Sequence, residues 1–144
     1  MTVALAPTNK LVSLAWLRGI PQLAGVPVGT KLPTDASGWG STGYVQARVV
    51  GGPADKYLPV GRPVVQVDCW AALSLSAVAD LLAQHIIAAT RDDPALRRPL
   101  VLPDGYPTAQ LLEVYALTEP VQDDSDPVLY ARCRLDLQFH WIAT

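Results

Sequence analysis

From residue 129 to residue 141 apolar and polar side chains alternate without a break. Leu129, Ala131, Cys133, Leu135, Leu137, Phe139 and Trp141 fall on one side, and Tyr130, Arg132, Arg134, Asp136, Gln138 and His140 on the other. A period of two marks a β-strand with one buried face and one wet face. Thirteen residues at about 3.3 Å each span roughly 43 Å, over twice the common strand length. Such a strand is expected to bend or to run past its own sheet. Two shorter stretches repeat the pattern. Tyr44 to Val50 sets Val45, Ala47 and Val49 against Gln46 and Arg48, and Val64 to Trp70 sets Val65, Val67 and Cys69 against Gln66 and Asp68. Ala109 to Thr118 is a fourth extended piece, with Leu112, Val114 and Ala116 facing one way.

Helical spacing takes over between these stretches. From Ser74 to about Arg91, Leu75, Val78, Leu82, His85 or Ile86, and Ala89 form an apolar stripe, and Arg91 suits the negative end of the helix dipole. Thr8 or Asn9 can cap a shorter helix that reaches Arg18 and ends at Gly19 and Pro21. Val26 to Leu32 is a brief extended piece between prolines, and Thr34 to Gly43 is a glycine- and serine-rich loop. Gly51 to Pro63 is too long for a tight hairpin turn, so it is expected to protrude. Asp92 to Pro107 is a proline-rich connection, and Glu119 to Pro127 is an acidic turn closing a final hairpin. The pattern predicts a single α+β domain over residues 1–144: an antiparallel sheet of about four strands, with one long and one short helix packed on one face.

Composition narrows the functional classes. The chain has 144 residues, half of them apolar and 17% charged, with a formal net charge of −2. Disorder needs less hydrophobicity and more charge, and a nucleic-acid binder working through a basic surface needs the opposite sign. Two cysteines make no disulfide framework, and both sit in strand registers, so reduced, buried thiols are expected. Met1 to Lys10 has neither the basic start nor the apolar core of a signal peptide. Cys69 to Thr90 comes nearest to a membrane span, but Asp80, Gln84 and His85 favour an amphipathic helix lying on a sheet. A soluble intracellular chain with no membrane partner is the expectation.

Candidate chemistry is sparse. Cys69, His85, Cys133 and His140 are zinc-ligand types at spacings that match no usual pair. The run Gly38-Trp39-Gly40-Ser41-Thr42-Gly43 lacks the lysine and the following helix of a phosphate loop. Asp123, Asp124 and Asp126 lack the glycine and the alternate spacing of a calcium loop, and no G-x-S-x-G elbow occurs. Arg91, Arg97 and Arg98 make a small basic spot that reads as a solvated loop. No catalytic residue, cofactor or metal site is expected. Four tryptophans and five tyrosines against one phenylalanine point to half-buried or interfacial positions. Trp39 and Tyr57 lie in loops with no evident core to enter, so each either folds back on its own domain or meets a partner. The polar strand faces, carrying Gln46, Arg48, Gln66, Asp68, Arg132, Arg134, Asp136 and Gln138, are either solvated or a polar subunit contact.

The order of segments resembles a known family. A helix ending in "AWLRG" leads to "VPVGTKLP" and to a strand closing in a glycine pair, "YVQARVVGG". A loop, "RPVVQVDCWA", an Ala-rich helix and the alternating "YARCRLDLQFHW" follow. In this the chain is similar to the tail terminator (tail completion, or minor tail) proteins of long-tailed phages infecting actinobacteria. The resemblance implies a virion protein, assembled in the bacterial host cytoplasm, with no enzymatic activity. It implies a homo-oligomeric ring, usually a hexamer, that caps the tail tube and meets the head–tail connector proteins, with no sequence-specific nucleic-acid partner. Such a ring needs two different complementary surfaces per subunit. The polar sheet face and the Gly51 to Pro63 loop are the candidates, with Trp39, Arg48, Tyr57, Arg62, Arg132, Arg134 and Asp136 as contact residues. A head-closure or adaptor protein of the neck, or a small-molecule-binding α+β domain, are the alternatives.

Overall fold

A computed structural model of the chain describes residues 5–51, 60–92, 98–122 and 130–144. The longest element is β8, Tyr130–Ala143, and the rest of the sheet is arranged around it. On one flank it pairs antiparallel with β4 (Val64–Ala72) and then with the two-residue β3 (Val60–Gly61). On the other it pairs with β6 (Ala109–Ala116) and with β7 (Val121–Gln122). The long strand therefore does not run past its sheet. One strand in two pieces covers it on each flank. The break between β3 and β4 falls at Arg62 and Pro63, where proline has no N–H to give a ladder. The Gln138 side-chain amide donates to the carbonyls of Arg62 and Pro63 at 3.0 and 3.2 Å and so patches the gap.

Outside β4 lies β2 (Tyr44–Gly51), antiparallel, and beyond it β1 (Val28–Gly29), parallel to β2. Outside β6 lies β5 (Pro99–Leu100). The sheet order is β1-β2-β4-β8-β6-β5. Helix α1 (Asn9–Arg18), capped by the Thr8 hydroxyl accepting from the Leu11 N–H at 3.1 Å, touches β1 and β2 on one side and β5 on the other. The sheet curls far enough for one helix to reach both of its ends.

Helix α2 (Ser76–Thr90), entered through a 3-10 turn at Leu73–Leu75, packs across β4, β8 and β6 with Ala79, Leu82, Ala83 and Ile86 buried. The continuous Leu73–Thr90 segment is long and apolar enough to cross a membrane by length and composition, and one side of it packs on the sheet. Between helices and sheet lie Val12, Leu17, Val45, Val65, Val67, Ile86, Leu135, Leu137 and Phe139, all fully buried. Trp16 meets Phe139 edge to face at 5.5 Å between ring centres. Trp141 donates from Nε1 to Asn9 Oδ1 at 2.9 Å, directly over Gly61, where a Cβ would strike the indole.

The architecture corrects the expectation of a four-stranded antiparallel sheet with two helices on one face. Among the described residues the sheet has eight strands, is mixed, and curls into a half-barrel around one 18-residue helical segment, Leu73–Thr90. Four of the strands are two residues long, too short to show any period in sequence.

Candidate assembly interface

The outward side of β2, β4 and β8 carries a connected polar network. Cross-strand register sets Asp68 opposite Gln46 on one side and Arg134 on the other, and Gln66 between Arg48 and Asp136. Arg134 donates from Nε to Asp68 Oδ1 at 3.1 Å, and Arg48 Nη2 lies 3.8 Å from Asp68 Oδ2. With its amide oxygen turned toward Arg134, Gln66 also accepts from Nε and Nη2 at 2.9 and 3.2 Å. Arg132 lies over the Trp70 ring, 4.9 Å from its centre, while Trp70 Nε1 donates to Gln46 Oε1 at 3.1 Å. The Asp68 side chain is only 2% exposed, whereas Arg48 and Arg134 are 55% and 39% exposed. Positive charge reaches solvent here and the balancing carboxylate does not.

The structure brings Arg48, Arg132, Arg134 and Asp136 onto this one surface through the strand period. Arg62 stands at the β3–β4 break and is exposed. With Val64, Glu113, Tyr115, Gln138 and His140 it rims a shallow hollow of about 490 Å³ on the same side of the sheet. Trp39 is placed elsewhere. It is 2% exposed, its Nε1 donates to the Pro33 carbonyl at 3.3 Å, and its ring packs on Tyr130 and Tyr44 at 5.0 and 6.1 Å. Its indole packs within its own domain. Tyr57 lies outside the described residues. Glu113 and Tyr115, which sequence reasoning passed over, share the outward side of β6; a bulge between Leu111 and Glu113 hides their phase.

A second hollow, of about 560 Å³, separates α1 from the β5 segment, with Arg18 and Arg98 at its rim. Both arginines are engaged in holding the chain: Arg18 donates to the Val28 carbonyl at 2.9 Å and Arg98 to the Gly19 carbonyl at 3.2 Å. Among the described residues no three His, Cys, Asp or Glu side chains converge as a metal cluster would. Cys69 and Cys133 face each other across β4 and β8 as free, buried thiols. Burial pushes both upward from the usual thiol range; Cys133 rises to about 11, with the Asp80 carboxylate of α2 adding to the effect.

No family model matches the chain, and no curated protein matches it in sequence. Solved structures do match. The chain shares its fold with a component of a virion. The solved chain comes from a particle described as "Virion of native gene transfer agent (GTA) particle"; the two align with a TM-score of 0.56 and 16% sequence identity, over 93% of this chain and 98% of that one. At this identity the likeness establishes the fold.

Proposed function

We propose that the chain is a structural subunit of a phage-like virion, and specifically a tail terminator whose copies form a ring, usually of six, between tail tube and head connector. The observation that carries the coarser reading is the fold likeness to the gene transfer agent virion chain, which runs nearly end to end in both proteins. The finer reading is supported by the segment order shared with tail terminators of actinobacteriophages. A surface that buries a carboxylate under two half-exposed arginines, beside exposed Val50, Tyr115, Leu117 and Val121, suits protein contact rather than a small-molecule pocket.

The test is assembly. Purified protein is sized by mass photometry and imaged in negative stain, alone and with purified tail tubes. Rings, and tubes with capped ends, are the expected result. Uncapped tubes beside a chain that stays monomeric would overturn the terminator role, and binding to head vertices without binding to tubes would reassign the subunit to head closure.

A further inference from the structure

The half-barrel leaves two strand edges open on opposite sides of the sheet. Among the described residues β1 pairs only with Val45 and Gln46, so nothing pairs with Ala47–Gly51 on that side. Among the same residues β5 pairs only with Ala109 and Gln110, so no described residue pairs with the rest of β6 on its outer side. Open edges are pairing templates, and proteins usually cover or blunt them. Neither edge here is blunted by proline or lysine, and Val49, Val50, Leu112 and Tyr115 are exposed along them.

Backbone direction shows what fits. The Val45 N–H donates outward to the Pro27 carbonyl, so Ala47 and Val49, in the same phase, aim their N–H and C=O groups at the open side. On β6 the Leu117 N–H is turned inward to Asp136, which leaves Val114 and Ala116 aiming outward. β2, β4, β8 and β6 alternate in direction, so β2 and β6 run opposite ways. A copy set beside this one by rotation about a single axis continues an antiparallel sheet.

We infer that the β6 edge of one subunit pairs antiparallel with the β2 edge of the next, Ala47 opposite Ala116 and Val49 opposite Val114. This deepens the proposed ring and rests on the reading of the chain as a self-assembling subunit. The register meets two demands together: hydrogen-bonding groups face one another, and the four side chains all lie on the core side. A slip by one residue loses both. On the outer face the same register sets Arg48 opposite Tyr115 with Glu113 on the diagonal, a cation beside a ring and a carboxylate. The two-fold pairing of β2 with another β2 centred on Arg48 would oppose two guanidinium groups instead.

The test uses a chain carrying Arg48→Cys and Tyr115→Cys, both at exposed positions. Within one molecule β4 and β8 separate these sites by about 14 Å, beyond disulfide reach, so any bridge joins two copies. Non-hydrogen-bonded antiparallel pairs suit a disulfide, and the buried Cys69 and Cys133 stay out of the reaction. After assembly and mild oxidation, a ladder of cross-linked multimers is expected, at least tenfold above a control carrying Arg48→Cys and Leu117→Cys. Val49→Pro, which removes an outward N–H and no bond to β4, is expected to weaken assembly at least tenfold with an unchanged circular dichroism spectrum. Rings that form without the ladder, or that form normally from Val49→Pro, overturn the edge pairing and leave the ring standing. A parent chain that stays monomeric with and without tail tubes overturns both.

Discussion

Arg134 donates from Nε to Asp68 Oδ1 at 3.1 Å on the side of the sheet that the strand pattern assigns to water, yet the Asp68 side chain is almost wholly enclosed. The carboxylate sits at the centre, with the more exposed Arg48 closing on its other oxygen. Asp68→Ala removes the enclosed carboxylate that faces both the Arg48 and the Arg134 guanidinium. It is expected to cost about 1–3 kcal/mol of unfolding stability, below the figure for a fully buried pair because both arginines stay hydrated. Arg48→Ala is expected to cost no more than about 1 kcal/mol. Urea unfolding of the two variants checks the ranking; equal costs would remove Asp68 from the centre of the network.

Gly43 holds φ at +85° where the loop after Trp39 enters β2, and its N–H donates to the Trp39 carbonyl at 2.7 Å. A Cβ there would meet the Trp70 carbonyl at 3.0 Å and press on Leu82 of α2. Gly43→Ala combines left-handed strain with overpacking and is expected to cost about 2–4 kcal/mol. Gly38→Ala in the same loop, where a Cβ meets nothing within 4 Å, is expected to stay within about 0.5 kcal/mol of the parent. Thermal unfolding of the pair separates them, and a Gly43→Ala midpoint as high as that of Gly38→Ala would refute the account.

The strongest periods carried over from sequence to structure residue by residue. Leu135, Leu137, Phe139 and Trp141 face the core and Arg132, Arg134 and Asp136 face outward, because one buried face fixes a strand's phase. The phase of β6 was not legible. Sequence spacing puts Leu112 on one side with Val114 and Ala116, but the bulge puts Leu111 in the core beside Val114 and leaves Leu112 48% exposed. The two-residue strands were illegible for a different reason: β3 and β7 exist because β8 outlasts β4 and β6, and β1 and β5 exist only as short pairings on the outer edges of β2 and β6, both tertiary facts. Trp39 needed the same information, since one of the rings that seat it, Tyr130, arrives from the far end of the chain. The outward arginines were legible from alternation alone. The burial of Asp68 was not, because it depends on how the arginines fold over it.

Leu81 and Leu82 are neighbours on α2 with opposite environments: Leu82 is 5% exposed against the sheet and Leu81 is 56% exposed. Leu82→Ala opens a cavity under the helix and is expected to cost about 2–4 kcal/mol, while Leu81→Gln is expected to change stability by less than about 0.5 kcal/mol. Denaturant midpoints measure both. A comparable loss from Leu81→Gln would mean that the outer side of α2 is covered in the assembled protein.

Cys69 and Cys133 give the chain a predictable alkaline weakness. Burial raises both thiols, for Cys69 with added repulsion from Cys133 and Asp68, and for Cys133 to about 11 with the Asp80 carboxylate contributing. In the unfolded chain a thiol gives up its proton near pH 8.5. Above that pH the unfolded state binds fewer protons than the folded one, so unfolding becomes easier as pH rises. The stabilisation from Cys133 is complete below about pH 8.5 and is lost as the pH climbs through about 11. Cys133→Ala removes this thiol, so its stability is expected to fall less steeply than the parent's across that window. Urea midpoints taken at half-unit steps of pH measure the two slopes. Parallel decline in parent and variant would show that the buried thiol is not the source of the loss.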